Sequence, residues 1–205
     1  MLTHLATALS VLCLLTIVPG PDMAVVTRRA LAADPGDALR TVGGIVTGLL
    51  IWGALTVAGL SAVLATSPTV HLAIKLLGAA YLVFLGAQAL WQNRRTAPTT
   101  EADTGAAVGS PWRTGLVSNV LNPKIAVFYT GLLPTLAPPQ LPTYWAMTLL
   151  VFLHTALTLA WLGSYVHLLS TAGPVLHRPR IRRMLGHITG VALIGFGLVV
   201  ATTSG

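Results

Sequence analysis

Two charged residues, Asp22 and Lys124, lie inside long apolar stretches of this 205-residue chain. Asp22 directly follows Pro19-Gly20-Pro21, and Lys124 directly follows Asn122-Pro123, with Asn119 just upstream. A carboxylate can bind an amino group and an ammonium can bind a carboxyl group, so the two could hold opposite ends of a zwitterion. Alternatively they pair with each other, either within such a site or as a purely structural ion pair that fixes one helix against another. Since an ionisable side chain in an apolar stretch is costly, we favour a functional site.

The prolines beside these charges predict interruptions of the helices that carry them. A proline within a helix removes a backbone hydrogen bond and clashes with the preceding turn, at a cost of about 3 kcal/mol. In a membrane the freed carbonyl groups must be satisfied by protein or water, so broken helices tend to line cavities. We therefore expect the two interruptions to frame a central site.

A histidine in another apolar stretch, His154, could relay protons, because histidine titrates near neutral pH. A histidine bonded to a neighbouring hydroxyl is an equally good interpretation. Lys75 lies close enough to the end of its stretch to reach the membrane surface. The expected substrate or proton path comprises Pro19, Gly20, Pro21, Asp22, Asn119, Asn122, Pro123, Lys124 and His154.

The composition excludes most other classes of protein. Hydrophobic residues make up 54% of the chain and charged residues only 8%, whereas a soluble domain spends about 25% on charge. Such a chain cannot cover a water-facing surface, which excludes a soluble globule, a disordered chain and a nucleic-acid binder. Cys13 is the only cysteine, so no disulfide framework and no thiolate metal site is expected.

Six stretches are long and apolar enough to cross a bilayer as helices, which takes about 20 residues each. The predicted fold class is therefore all-α: a polytopic membrane protein with six transmembrane helices. The predicted spans are Leu5 to Thr27, Thr41 to Leu64, Val70 to Leu90, Thr114 to Leu136, Tyr144 to Leu169 and Met184 to Thr203.

The basic residues predict the orientation of these spans. Ten of the twelve Lys and Arg residues fall in the first, third and fifth connections, and the second and fourth connections contain none. The positive-inside rule then places the three basic connections in the cytoplasm and both termini outside it. We expect a multi-pass protein of the bacterial inner (plasma) membrane. The net charge of +7 then arises mainly from the basic residues that set the orientation of the spans.

One membrane domain, 1–205, is expected to contain two halves. Residues 1–95 and 112–205 each carry three spans, and residues 96–111 between them form a flexible cytoplasmic linker rich in Ala, Thr, Gly and Pro. An odd number of spans per half requires any repeat to be inverted in the membrane. Two weak matches support a repeat: Pro21 to Val26 with Pro123 to Phe128, and Ile74 to Gly78 with Arg182 to Gly186.

Small residues at helical spacing predict close helix packing, within or between chains, so a homo-oligomer is possible. The pairs are Gly44 with Gly48 and Gly186 with Gly190. Hydrolase, metalloprotease and P-loop signatures are missing from the sequence. We therefore expect no enzyme, no cofactor and no metal, and any transport would draw on an ion gradient or on diffusion.

Five motifs together resemble the LysE/RhtB family of bacterial amino-acid exporters. The resemblance implies a six-span inner-membrane protein that exports a small amino acid or a derivative, driven by the proton gradient. Family members often carry asparagine where this chain has Asp22, so the acid here could favour a more cationic substrate or carry a proton. The motifs are Val18 to Asp22, Gly44 to Gly48, Lys75 to Gly86, Asn122 to Tyr129 and Leu185 to Gly190.

The expected partners are thus an amino acid or related zwitterion and the lipid bilayer. A membrane thiol-relay or metal-handling protein of related architecture is the alternative, and a non-transporting assembly subunit is a third. The single cysteine and the scattered histidines argue against the thiol and metal alternatives.

Overall fold

All regular structure in the described part of the chain is helical, which confirms the all-α class. The structure, a computed structural model, describes residues 2–32, 34–60, 68–95 and 109–176, together with positions 184, 187–188, 190–191, 194–195, 197–198 and 201–202. The helices are α1 (Leu2–Ile17), α2 (Pro21–Ala32), α3 (Pro35–Leu55), α4 (Pro68–Arg95), α5 (Pro111–Val120), α6 (Pro123–Val127) and α7 (Thr143–Leu176). The single positions from 184 to 202 are also helical.

Proline begins five of these helices, from α2 to α6. The first helical position needs no N–H donor, and the fixed φ of proline suits it. The matching prolines of the predicted repeat, Pro21 and Pro123, are both such first residues. The second predicted match reaches into residues 182–186, which lie largely outside the described part.

The first and fourth predicted spans are each broken at their prolines. Helices α1 and α2 meet at an angle of 48°, and α5 ends one turn before α6 begins. By length and composition, two helices of the described chain are able to cross a membrane, or three if the bent pair is one span. The six-span inverted arrangement and the side on which the termini lie stay predictions, as do the two halves and most of the linker, which lies outside the described residues.

Two wider π turns continue α3 and α6. They span Thr56–Leu60 and Phe128–Leu132, and a 3₁₀ turn, Leu133–Leu136, follows the second. A π turn leaves its backbone groups less regularly paired. The Thr56 hydroxyl donates to the carbonyl of Tyr129 at 3.4 Å. A side chain of the first π turn thus provides a hydrogen-bond donor for a backbone carbonyl of the second.

Helices α3 and α5 touch through their backbones. A Cβ atom on Gly44 would meet the carbonyl oxygen of Trp112, and one on Gly115 would meet the carbonyl oxygen of Thr41. A Cβ on Gly48 would lie 2.6 Å from Oδ1 of Asn119. This contact thus brings the Asn119 end of α5 against the middle of α3.

The C-terminal helical positions pack against α4 in a similar way. A Cβ on Gly190 would lie 2.9 Å from the carbonyl oxygen of Gly86, and one on Gly197 would lie 2.7 Å from that of Ala79. Gly186, the other glycine of the predicted pair, lies outside the described residues.

Two apolar clusters form the interior. The first joins α1 to the π and 3₁₀ turns after α6 and to the start of α7, with Leu12, Phe128, Tyr129 and Leu150 fully buried. The second joins α2 and α3 to the later part of α7 around Val26. Both clusters contribute walls to one small cavity, which therefore has apolar side chains on either side.

Arg29, which the charge count assigned to a cytoplasmic connection, is buried with 4% of its surface exposed. Its guanidinium donates to the carbonyl of Gly109 at 3.1 Å and to the hydroxyl of Thr114 at 3.0 Å. Gly109 has a φ of +98°, a conformation that glycine adopts without a steric cost. The end of α2 is thereby fastened to the start of α5.

The glycine contact between α3 and α5 predicts that Gly44→Ala destabilises the protein. The new methyl group meets backbone atoms that cannot rotate away, and overpacking of this kind costs about 1–3 kcal/mol. Thermal unfolding in detergent measures the loss. Gly163→Ala is the matched control, because a Cβ there meets nothing within 4 Å. Equal melting temperatures for the two variants would contradict this packing.

Candidate functional site

Asp22 lies in the first turn of α2 and accepts three hydrogen bonds from α5 and the residue before α6. The hydroxyl of Ser118 donates to Oδ1 at 2.8 Å, and Oδ2 accepts from Nδ2 of Asn119 at 2.8 Å and of Asn122 at 3.1 Å. All three donors are neutral. The helix N-terminus adds a favourable field for the carboxylate. The charge of Asp22 is therefore stabilised without a cation in contact.

Lys124 is buried and donates to the backbone of the broken first span. Its Nζ lies 3.2 Å from the carbonyl oxygen of Leu15 and 3.0 Å from that of Val18. In an unbroken helix the Leu15 carbonyl would accept from residue 19, but Pro19 has no N–H. The ammonium thus replaces hydrogen bonds that the break removes.

Asn122 connects the two interruptions. Its Oδ1 accepts from the backbone N–H of Lys124 at 3.0 Å and so caps α6, with Pro123 at the first helical position. Its Nδ2 donates to Asp22. One amide group therefore orients both charged residues, and 1% of Asn122 is exposed.

Asn119 is completely buried and only half satisfied. Its amide hydrogen reaches Asp22, whereas Oδ1 has no hydrogen-bond partner among the described residues. A buried acceptor without a partner costs about 1–3 kcal/mol. Gly48 stands beside this oxygen, so α3 approaches it there without a side chain.

Asp22 and Lys124 line the same cavity but form no ion pair with each other. The ion pair found among the described residues joins Arg40 to Asp37 at the surface. The cavity measures about 30 Å³, and a water molecule needs about 10–15 Å³ on this measure. It is lined by Leu15, Thr16, Val18, Gly20, Asp22, Met23, Leu49, Asn119, Lys124, Ile125, His154, Thr158 and Leu162.

Each charged group keeps one hydrogen-bonding position without a partner among the described residues. A carboxylate has about four acceptor sites and an ammonium has three donors. Asp22 accepts three bonds and Lys124 donates two within the described chain. A ligand with an amino group and a carboxyl group can therefore contact both without first breaking an ion pair.

Gly20 allows the close approach of Lys124 to the broken helix. A Cβ at this position would lie 3.2 Å from the ammonium nitrogen. Pro19 and Pro21 flank the glycine without contacting Asp22 or Lys124 by any hydrogen bond in the described chain. Pro19 acts on the site by leaving open the carbonyl group of Leu15 that Lys124 binds, and Pro21 begins α2 directly before Asp22.

His154 lies against the same cavity from α7. Its Nδ1 is 3.1 Å from the hydroxyl oxygen of Tyr129, and 1% of the residue is exposed. The rings of Phe128 and Tyr129 lie 5.3 Å and 5.7 Å from the imidazole. The sequence left open whether this histidine relays protons or is bonded to a hydroxyl, and the structure contains that hydroxyl bond.

The structure thus brings Asp22, Asn119, Lys124 and His154 together around one cavity, and Asn122 is bonded to Asp22 and Lys124 beside it. Sequence reasoning missed Ser118, Tyr129 and the carbonyl groups of α1. Ser118 had a signal, because it stands with Asn119 and Asn122 at spacings that place polar groups on one side of a helix. For Tyr129 the sequence carried no signal beyond its position five residues after Lys124.

Metal and thiol chemistry finds little support in this part of the molecule. No group of three or more His, Cys, Asp and Glu among the described residues is arranged to hold a metal ion. Cys13 lies on α1, in contact with a different cavity from Asp22 and Lys124.

The sequence is similar to several bacterial membrane proteins over most of its length. It is 28% identical over 193 residues to the uncharacterized membrane protein YrhP of Bacillus subtilis, covering 90% of this chain and 92% of that protein. It is 26% identical over 188 residues to the threonine efflux protein of Escherichia coli, covering 88% of each. An uncharacterized membrane protein of Pseudomonas aeruginosa is 28% identical over 198 residues, 92% of this chain and 90% of its own.

No solved structure matches the chain. The family described as LysE type translocator matches residues 13–204, which include both helix interruptions and every residue of the cavity. This protein therefore belongs to the LysE type translocator family.

Proposed function

We propose that this protein exports an amino acid or a related small zwitterion from the cytoplasm, coupled to the proton gradient. The family supports transport, and a relative named threonine efflux protein supports an amino acid as cargo. The observation that carries the proposal is the shared cavity of Asp22 and Lys124, in which the two charges are not paired with each other.

The amino group of the substrate contacts Asp22, and its carboxyl group contacts Lys124. Each contact uses the position that the protein leaves unused, so the bonds to Asn119, Asn122 and the α1 carbonyls can persist in the complex. Charge-assisted hydrogen bonds in a water-poor site are strong and directional. Two of them at opposite ends select a molecule that carries both charges.

The cavity as it stands belongs to a closed state. Its volume of about 30 Å³ suits about two water molecules, and an amino acid has several times as many non-hydrogen atoms. Transport therefore requires the apolar clusters on either side to open in turn. The bends at Gly20 and between α5 and α6 are the places where the helices already lack continuous hydrogen bonding.

His154 is the proton carrier in this proposal. The titratable and charged groups that face it are Lys124 across the cavity, Tyr129 in contact and Asp22 beyond. A proton arriving on the imidazole adds positive charge beside Lys124, which weakens the hold of the site on a substrate amino group. Proton binding and substrate release are thereby linked by repulsion between like charges.

The alternative of a thiol-relay or metal-handling protein has no comparable support. A thiol relay needs paired cysteines, and Cys13 stands alone in the sequence. The site proposed here needs no cofactor and catalyses no covalent step.

The charged pair is tested by Asp22→Ala and, separately, Lys124→Ala. We expect amino-acid uptake into inside-out vesicles to fall by about tenfold to a hundredfold in each, because a hydrogen bond to a charged group is worth about 1.5–3 kcal/mol. Asp37→Ala and Arg40→Ala, which remove a surface ion pair, are the matched controls and should keep full uptake. Equal membrane insertion of all four variants is checked by quantifying protein in the vesicles. Full uptake by both site variants would show that Asp22 and Lys124 have a structural role and do not bind the substrate.

Proton coupling is tested by His154→Gln. This variant should lose the stimulation of uptake by an imposed pH gradient but retain exchange of labelled for unlabelled substrate, which needs no net proton movement. His167→Gln, at an exposed position of the same helix, should behave as wild type. Undiminished stimulation in His154→Gln assigns the proton to another group.

The orientation is tested with single cysteines in a Cys13→Ser background. Gln140→Cys should react with a membrane-impermeant maleimide in intact cells, because its connection has no basic residue. Ser110→Cys should react only after permeabilisation, since it lies in an arginine-flanked connection. Both positions are exposed. The reverse pattern would overturn the predicted topology.

A further inference from the structure

A second, larger recess adjoins the central cavity. It is a groove of about 280 Å³ between α1 and α7, lined by Cys13, Thr16, Ile17, Leu157, Ala160, Trp161 and Ser164. Thr16 also lines the central cavity. One residue thus forms a wall shared by the polar cavity and the groove.

The chemistry of the groove differs from that of the cavity. No charged side chain lines it, and its walls are mainly aliphatic and aromatic, from Ile17, Leu157 and Trp161. The Thr16 hydroxyl is occupied, since it donates to the carbonyl of Leu12 at 2.7 Å. A surface of this kind favours an apolar ligand group over a polar one.

The two recesses together match the two parts of an amphiphilic amino acid. The central cavity of about 30 Å³ presents the charged groups of Asp22 and Lys124 but is too small for a substrate side chain, and its walls at Leu15, Leu49 and Leu162 are buried. The groove supplies space beside Thr16. Resting on the proposed function, we propose that the groove seats the side chain of the substrate, which is therefore an amino acid with a large apolar side chain, such as leucine, methionine or phenylalanine.

A lipid acyl chain is the competing occupant. The groove opens toward a face where Ile17 is 44% exposed, so lipid can fill it when no substrate is bound. The groove shares Thr16 with the cavity that contains Asp22 and Lys124. This favours the substrate side chain, because a lipid tail carries no group that would bind those charges. The two occupants predict different selectivity.

Uptake into inside-out vesicles distinguishes them. Wild-type protein should prefer leucine, methionine and phenylalanine to alanine and serine by at least about tenfold, because each methylene in an apolar pocket contributes about that much discrimination. Ala160→Phe fills the groove and should lower leucine uptake relative to alanine uptake by about tenfold. Ala87→Phe is the matched control: Ala87 is exposed on α4, on the same side as Phe84 and Trp91.

The only cysteine of the chain gives a binding assay that needs no substitution. Cys13 lines the groove, so leucine or phenylalanine should slow its reaction with a membrane-permeant maleimide, and alanine should not. Three results together would overturn the proposed binding of the side chain in the groove and assign the groove to lipid: equal uptake of leucine and alanine, no effect of Ala160→Phe, and no protection of Cys13. Uptake of no amino acid, with Cys13 still protected by leucine, would instead refute the proposed transport and keep the binding site.

Discussion

The reciprocal bonding between two helix interruptions is the interaction on which this structure depends. The ammonium of Lys124, beside the second break, binds carbonyl groups that the first break leaves open. The carboxylate of Asp22, beside the first break, accepts hydrogens from Asn119 and Asn122 at the second. Neither break could be buried alone, because orphaned backbone groups and isolated charges are both expensive in a membrane. The residues beside each break therefore supply the hydrogen-bonding partners that the other break needs.

This exchange explains why the charged groups do not simply neutralise each other. As placed, Lys124 donates to the carbonyl groups of Leu15 and Val18, and Asp22 accepts from the hydroxyl of Ser118 and the amides of Asn119 and Asn122. Distributing the bonds over backbone and amide groups keeps both charges solvated by the protein. It also leaves a polar cavity between two apolar clusters, which is the arrangement a substrate site in a bilayer requires. The glycine contact of α3 and α5 supports it by holding Asn119 in place.

Much of this arrangement was predictable from residue types and spacing. Apolar length predicted helices at these positions, and proline next to charge predicted both breaks. The structure places Asp22, Asn119 and Lys124 on one cavity and bonds Asn122 to Asp22. The partners of Lys124 were not predictable, because backbone carbonyl groups carry no sequence signal. The tyrosine that His154 binds, Tyr129, lies in a π turn, and no sequence pattern marks such a turn. Arginine counting gave Arg29 a place in a loop, whereas its guanidinium turns inward to a glycine carbonyl.

The short helix α2 is held at both ends by residues that come much later in the chain. At its start Asp22 is bonded to Ser118, Asn119 and Asn122, and at its end Arg29 is bonded to Gly109 and Thr114. Its own predecessor, α1, meets it only through the bent segment around Gly20. Along its length α2 also packs against α3, so its position is fixed by α3 together with the later residues bonded at its two ends. Any change in the bend at Gly20 would therefore move the carbonyl groups of Leu15 and Val18, which Lys124 binds, relative to Asp22.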